Sequence, residues 1–100
     1  MLWSVYCLDN PNSAAARDSS IKEHREYLKG KESMIVVGGP LQSDDGAASV
    51  GSQFIVKAES RAEVQAFSDG DPFAKAGVFA SVTIRRMHVG RLNPEVAAGK

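Results

Sequence analysis

Residues 50–89, VGSQFIVKAESRAEVQAFSDGDPFAKAGVFASVTIRRMHV, contain a complete strand–helix–strand unit and decide the fold class. Branched and aromatic residues dominate 50–57, which predicts a strand. Ser60 and Glu63 then form a capping-box pattern, in which each side chain can satisfy a backbone amide at the start of a helix. The turn sequence at 69–72, Asp-Gly-Asp-Pro, predicts the end of that helix.

The remainder of this unit predicts a short turn over 73–76 and a final strand over 78–89. Successive side chains of a strand point to opposite faces of the sheet. We therefore expect one row of residues to face the helices, namely Val78, Ala80, Val82 and Ile84. The opposite row is Phe79, Ser81 and Thr83.

The N-terminal half repeats the same order of elements. A strand is predicted from Leu2 to Leu8, and Asp9-Asn10-Pro11 stops it. The polar stretch that follows predicts only one helical turn, around Ala14 to Ala16. Ser20 and Glu23 form a second capping-box pattern, so the helix itself is expected from Ser20 to Lys29.

A second strand is predicted over Met34 to Val37, ending at Gly38-Gly39-Pro40. Asp44-Asp45-Gly46 has the composition of a hairpin turn and leads back into the strand at 50–57. The resulting order, β-α-β-β-α-β, predicts an α+β, ferredoxin-like fold with a four-stranded antiparallel sheet and both helices on one face. Residues 1–90 are expected to form this domain, and 91–100 a flexible C-terminal tail.

The predicted sheet carries substantial side chains on both faces. In the first strand, Trp3, Val5 and Cys7 alternate with Ser4 and Tyr6. A sheet face exposed to water is usually more uniformly polar, and apolar patches at a surface mark interfaces. We therefore expect a homodimer formed through the open sheet face, a dimeric α+β barrel.

Composition excludes several classes of function. The chain has 43% hydrophobic residues, 24% charged residues and a formal net charge of zero. Without a positive field, nucleic acid is not an expected partner, and no apolar run has the length that a membrane span requires. Cys7 is the only cysteine and lies in an apolar run, so a buried structural thiol and a reduced, cytoplasmic setting are expected.

Motifs for nucleotides, phosphate or catalytic metals are missing, so no cofactor and no metal are expected.

His24 stands out because it lies in the apolar stripe of the first helix. It is either a histidine at the edge of the core that bonds a backbone carbonyl, or a general acid or base that needs an orienting partner. Asp71 is the best candidate for that partner, although aspartate before proline is also a common turn former.

Three further polar residues have two interpretations each. Arg17 lies seven residues before His24 and either attracts a carboxylate or phenolate substrate or is a solvated surface group. Ser52 and Tyr6 either line a pocket or are hydroxyls satisfied by the backbone. His88, near the end of the last strand, is expected at the surface.

Several short segments, in this order and spacing, resemble the YCII-related (YciI-like) family from Met1 to about Arg86. They are Arg17 with His24, Gly39-Pro40-Leu41, Gly51-Ser52, Asp71-Pro72-Phe73 and Ala76-Gly77-Val78-Phe79. The resemblance implies a ferredoxin-like dimer with a His–Asp pair in a cleft, at His24 and Asp71, with Arg17 and Ser52 nearby. One branch of this family is a dehydrochlorinase of chlorinated hydroquinones. Two departures are Gly38, where alanine is usual, and the extension 87–100.

The leading hypothesis is a small-molecule enzyme of lyase or isomerase type without a cofactor, with His24 moving a proton and Asp71 fixing its tautomer. One alternative is a non-catalytic ligand-binding or accessory dimer that uses the same cleft for recognition. Another is a structural module whose sheet face is only a dimer contact.

Overall fold

The computed structural model describes residues 1–98, which form four strands and four helices. In chain order they are β1 (Leu2–Asp9), α1 (Ala14–Lys29), β2 (Ile35–Gln42), β3 (Ser49–Lys57), α2 (Arg61–Gly70), α3 (Pro72–Lys75), β4 (Phe79–Met87) and α4 (Pro94–Ala98). The strands form one antiparallel sheet in the order β2-β3-β1-β4. This is the predicted ferredoxin-like arrangement, and the α+β class is confirmed.

The core lies between one face of the sheet and the helices. Cross-strand partners share a face, so Val5 lies beside Phe54 on β3 and Ile84 on β4. The buried apolar residues of this core are Trp3, Val5, Cys7, Phe54, Val56, Ala58, Val64, Phe67 and Ile84. Tyr27 and Leu28 of α1 pack against them, which attaches α1 to the same face.

Helix α1 is longer than its sequence predicted. It begins at Ala14, with Ser13 as N-cap, and Ser20 lies in its interior, so the capping box at Ser20 was the wrong start. The C-terminal end at Lys29 is as predicted. The additional turns bury Arg17, whose tertiary contacts outweigh the weak local signal of the polar stretch 12–19.

Strand β2 also extends beyond its predicted end, through Gly38-Gly39-Pro40 to Gln42. It pairs only with β3, and a proline is tolerated in such an edge strand because its missing N–H can face away from the ladder. The turn after it is as predicted, with Gly46 at a positive φ of 73°.

The predicted faces of β4 are correct from Ser81 onward. Val82 and Ile84 lie opposite Cys7 and Val5 on the helix face, although Val82 at the sheet edge remains 37% exposed. A register shift at the end of β1 changes the alternation, and Phe79 pairs with Asp9 and packs against the core. The assignment of Phe79 to the opposite face was wrong, because the alternation reverses across a bulge and Phe79 lies on the N-terminal side of it.

The second helical region follows the sequence closely. Ser60 caps α2 by accepting the Glu63 N–H at 3.3 Å, as the capping box predicted. Asp71 then ends α2 and begins α3, the predicted short turn.

After β4, α4 has no buried residue, and the last two positions of the predicted tail, 99–100, lie outside the described residues. Within residues 1–98, no helix has the length and apolarity to cross a membrane.

Candidate active site

Helix α1 carries two buried polar residues, Arg17 and His24. They are seven positions apart, which is close to two helical turns, so both project from the same face of the helix. That face lies against α3 and the N-terminal half of β3. The site is therefore built where the first helix meets the turn that follows the second.

His24 and Asp71 are in direct contact. His24 Nδ1 lies 2.7 Å from Asp71 Oδ1, and both side chains are buried. The same Oδ1 accepts the backbone N–H of Phe73 at 2.9 Å. An oxygen that accepts from an amide is suited to the carboxylate form, so the shared proton belongs on Nδ1 and the histidine is the donor.

Phe73 packs against one face of the His24 imidazole. Its ring stacks on the His24 ring with 3.7 Å between centroids and 9° between planes. Phe79 contacts the Phe73 ring edge-on at 6.1 Å. The imidazole is thus held by a carboxylate in its plane and by an aromatic ring against its face.

Arg17 is buried and ion-paired, so its interpretation as a solvated surface group was wrong. Its Nε and Nη2 donate to the two carboxylate oxygens of Asp9, each at 2.9 Å. Nη2 also donates to the Gly51 carbonyl at 2.9 Å and to Ser52 Oγ at 3.2 Å. The guanidinium carbon lies 4.6 Å from the centre of the Phe73 ring, so Arg17 and His24 contact the same phenylalanine.

A cleft of about 770 Å³ opens beside these residues, between α1 and the β2–β3 edge. Its lining includes Arg17, His24, Ser52, Phe54 and Pro40. Nε2 of His24 and Nη1 of Arg17 have no hydrogen-bond partner among residues 1–98. Both atoms are accessible to solvent, because in that part of the chain every fully buried side-chain nitrogen or oxygen has a hydrogen-bond partner.

The remaining predicted polar residues separate into two groups. Ser52 lies in the cleft wall, where its Oγ accepts from Arg17 and its hydroxyl hydrogen has no acceptor among the described residues. Tyr6 lies on the opposite face of the sheet, and His88 is exposed, as expected. Among residues 1–98, no group of three His, Cys, Asp or Glu side chains comes together that could hold a metal ion.

Two further groups are affected by the anions of the site. Burial raises the pKa of the Cys7 thiol to about 12, and the charges of Asp71 and Asp9 act in the same direction. Burial and the Asp71 charge also raise the pKa of Tyr27. Both therefore stay neutral at physiological pH, and Cys7 is the buried, inert thiol that the sequence predicted.

Sequence reasoning missed Asp9 and Phe73 as parts of this site. Asp9 was assigned only to a strand end, and Phe73 only to a short turn and a family segment. An aspartate directly after an apolar strand, with an arginine eight residues later, was the available signal for the ion pair. No local pattern indicates that Phe73 stacks on His24, since the two are 49 positions apart.

The sequence of this chain matches a known protein family. The YCII-related domain matches residues 1–88. The chain belongs to this family. Two curated relatives, each named Protein YciI, come from Escherichia coli O6:H1 (strain CFT073) and Shigella flexneri. Both are 34% identical over 92 residues, which covers 85% of this chain and 94% of theirs.

A solved structure shares the fold as well. It is 5-chloro-2-hydroxyhydroquinone dehydrochlorinase (TftG) from Burkholderia phenoliruptrix AC1100, in complex with 2,5-dihydroxybenzoquinone. The TM-score is 0.83 and the identity 37%, covering 90% of this chain and 96% of that chain. An enzyme that acts on a small molecule is therefore among the family's structures. Helix α4 lies beyond the region that the family matches.

Proposed function

We propose that this protein is a small-molecule enzyme of lyase or isomerase type that needs no cofactor, in which His24 moves a proton and Asp71 orients it. The observation that carries the proposal is the 2.7 Å contact between Asp71 Oδ1 and Nδ1 of His24, a residue that lines the cleft. An imidazole held through one nitrogen can use the other as a base or acid near neutral pH.

The proton step follows from that arrangement. Nε2 accepts a proton from a phenolic O–H, or from a C–H beside a carbonyl, and the electron pair of the broken bond moves into the substrate. In an elimination a leaving group departs with its bonding pair, and in an isomerisation the proton returns to another atom. Asp71 stabilises the imidazolium that forms between the two steps. Such acid–base help accelerates reactions by about 10²–10⁴-fold.

Arg17 and Ser52 are proposed to bind the substrate. Four of their hydrogen bonds are internal: two from Arg17 to Asp9, one to Gly51, and one between Arg17 and Ser52. These contacts hold the two side chains in place and leave Arg17 Nη1 and the Ser52 hydroxyl hydrogen as donors beside the cleft. Fixed donors suit an oxygen that gains negative charge as His24 removes the proton, such as a phenolate or enolate.

The substrates to test first come from the solved relative. Its name describes the loss of hydrogen and chlorine from a hydroxylated aromatic ring, and its bound molecule is a dihydroxylated quinone. A ring of this size fits easily in a cleft of about 770 Å³. We therefore extend the class, hydroxylated and halogenated six-membered rings, to this protein.

The decisive experiment compares the two histidines of the chain. Purified protein is incubated with chlorinated hydroquinones, and chloride release and the quinone absorbance are followed. His24→Gln should lower kcat by at least about 10²-fold, because the base is lost. The exposed His88→Gln should match the parent. Turnover that survives His24→Gln would contradict the mechanism, and binding without turnover would identify a ligand-binding module instead.

We also propose that the working unit is a homodimer joined through the open sheet face. Apolar side chains remain uncovered there, and the largest exposed ones are Tyr6, Leu8, Val37 and Met87. Val37 is 59% exposed although it pairs with Ile55 of β3. A second copy that packs against this face would remove these side chains from water.

A further inference from the structure

We infer that Phe73 is a positioning residue that sets the tautomer and the ring orientation of His24. It acts directly through its side chain and indirectly through its backbone amide. The catalytic meaning of this inference rests on the proposed function. Its geometric content does not, because the tautomer of His24 can be measured without any substrate.

The first contact is the ring stack. A separation of 3.7 Å and a tilt of 9° leave no room for the imidazole to rotate about its Cβ–Cγ bond without striking the phenyl ring. Phe73 is completely buried, and the edge-on contact from Phe79 prevents its ring from giving way. The plane of His24 is therefore fixed by a group that cannot hydrogen-bond to it.

The second contact passes through Asp71. The Phe73 N–H and His24 Nδ1 share one oxygen, Asp71 Oδ1, at 2.9 Å and 2.7 Å. The amide N–H donates to Oδ1, so this oxygen acts as an acceptor and the proton of the His–Asp contact stays on Nδ1. Burial of the Phe73 ring is what holds α3, and hence this amide, against α1. Phe73 thus influences both the position of the shared proton and the plane of the His24 ring. Both effects leave Nε2 as the nitrogen without a proton.

The surrounding groups do not replace Phe73 in this role. Tyr27 donates its hydroxyl to the Phe67 carbonyl at 2.8 Å, so it does not compete for Asp71. The neutral Cys7 thiol is buried on β1. Arg17 is committed to Asp9 and contacts the same Phe73 ring. The other charged groups of the cleft, Asp18, Arg25, Lys29 and Glu32, form its outer lining.

The test uses ¹⁵N chemical shifts of the histidine side chains, which distinguish Nδ1–H from Nε2–H tautomers. Spectra are recorded at about pH 8, where an ordinary histidine is neutral. The parent should show His24 as one tautomer, protonated on Nδ1, while the exposed His88 shows the mixture of a solvated ring. In Phe73→Leu, which keeps an apolar side chain but has no flat face, a clearly resolved Nε2–H share of His24 should appear.

Two more variants make the result decisive. Phe67→Leu removes a second buried core ring whose aromatic contacts are Tyr27 and Phe54, and it should leave the His24 tautomer unchanged. Phe73→Met fills the space flexibly and should reproduce the effect of leucine. A single Nδ1–H tautomer in either folded Phe73 variant would overturn the inference. Loss of the fold in both Phe73 variants but not in Phe67→Leu would also overturn it, because Phe73 would then be a core residue alone.

Discussion

Arg17 and Asp9 form a two-bond ion pair that joins the first turns of α1 to the end of β1. Both N···O distances are 2.9 Å, and the two side chains are only 10% and 8% exposed. Parallel bonds of this kind fix the plane of a guanidinium as well as its position. Nη2 gives one N–H to Asp9, and its other N–H is shared between the Gly51 carbonyl and Ser52 Oγ.

Asp9→Asn should lower the free energy of unfolding by about 3 kcal/mol, because it leaves the Arg17 charge buried without its counterion. Urea unfolding followed by the fluorescence of Trp3, the only tryptophan, measures this loss. The double variant Asp9→Asn, Arg17→Met should recover part of it. A loss below about 0.5 kcal/mol would instead match an exposed pair of little weight.

Gly38→Ala should destabilise the protein by about 1–3 kcal/mol, because its Cβ would collide with the ring of Phe54 in the buried core. Gly39→Ala is the matched control. No atom lies within 4 Å of a Cβ placed there, and its φ is not positive. Thermal unfolding of the two variants checks the difference, and equal midpoints would show that the Phe54 ring can move at no cost.

Stability should depend on the Cys7 thiol at alkaline pH. Burial raises the pKa of the thiol from 9.0 to about 12 in the folded chain, so the thiol stabilises the fold fully below pH 9. Between these values the unfolded chain loses its proton first, and stability falls by up to about 1.4 kcal/mol per pH unit. Urea unfolding at increasing pH should show this decline in the parent and a shallower one in Cys7→Ala. Parallel curves would contradict it.

The dimer proposal predicts a mass in solution. Analytical ultracentrifugation should give twice the mass of one chain, and Tyr6→Lys should shift it to the monomer by placing a charge on the open sheet face. Val96→Lys places the same charge at an exposed apolar residue of α4, outside the sheet, and should leave the dimer intact. A monomeric parent at micromolar concentration would refute the proposal.

The sequence predicted the fold wherever a local signal decided it. The Ser60–Glu63 cap, the alternation in β1 and the turn at 69–72 each act over a few residues, and each is present in the structure. The start of α1 was predicted six residues late because the capping-box pattern at Ser20 is a stronger local signal than the polar stretch before it. The Phe79 face was missed because a bulge leaves no sequence signal of its own.

For the site, the sequence by itself named the residues that we propose to carry the chemistry. His24 in an apolar helix stripe, Asp71 before a proline, and the polar Arg17 and Ser52 were all named from the chain. Only the tertiary structure decided how they are held, with Asp9 bound to Arg17 and Phe73 stacked on His24. The physical reason is distance along the chain. Helix caps and strand alternation are short-range and leave a pattern in neighbouring residues, whereas a stacked ring or a buried ion pair is created only when separate segments pack together.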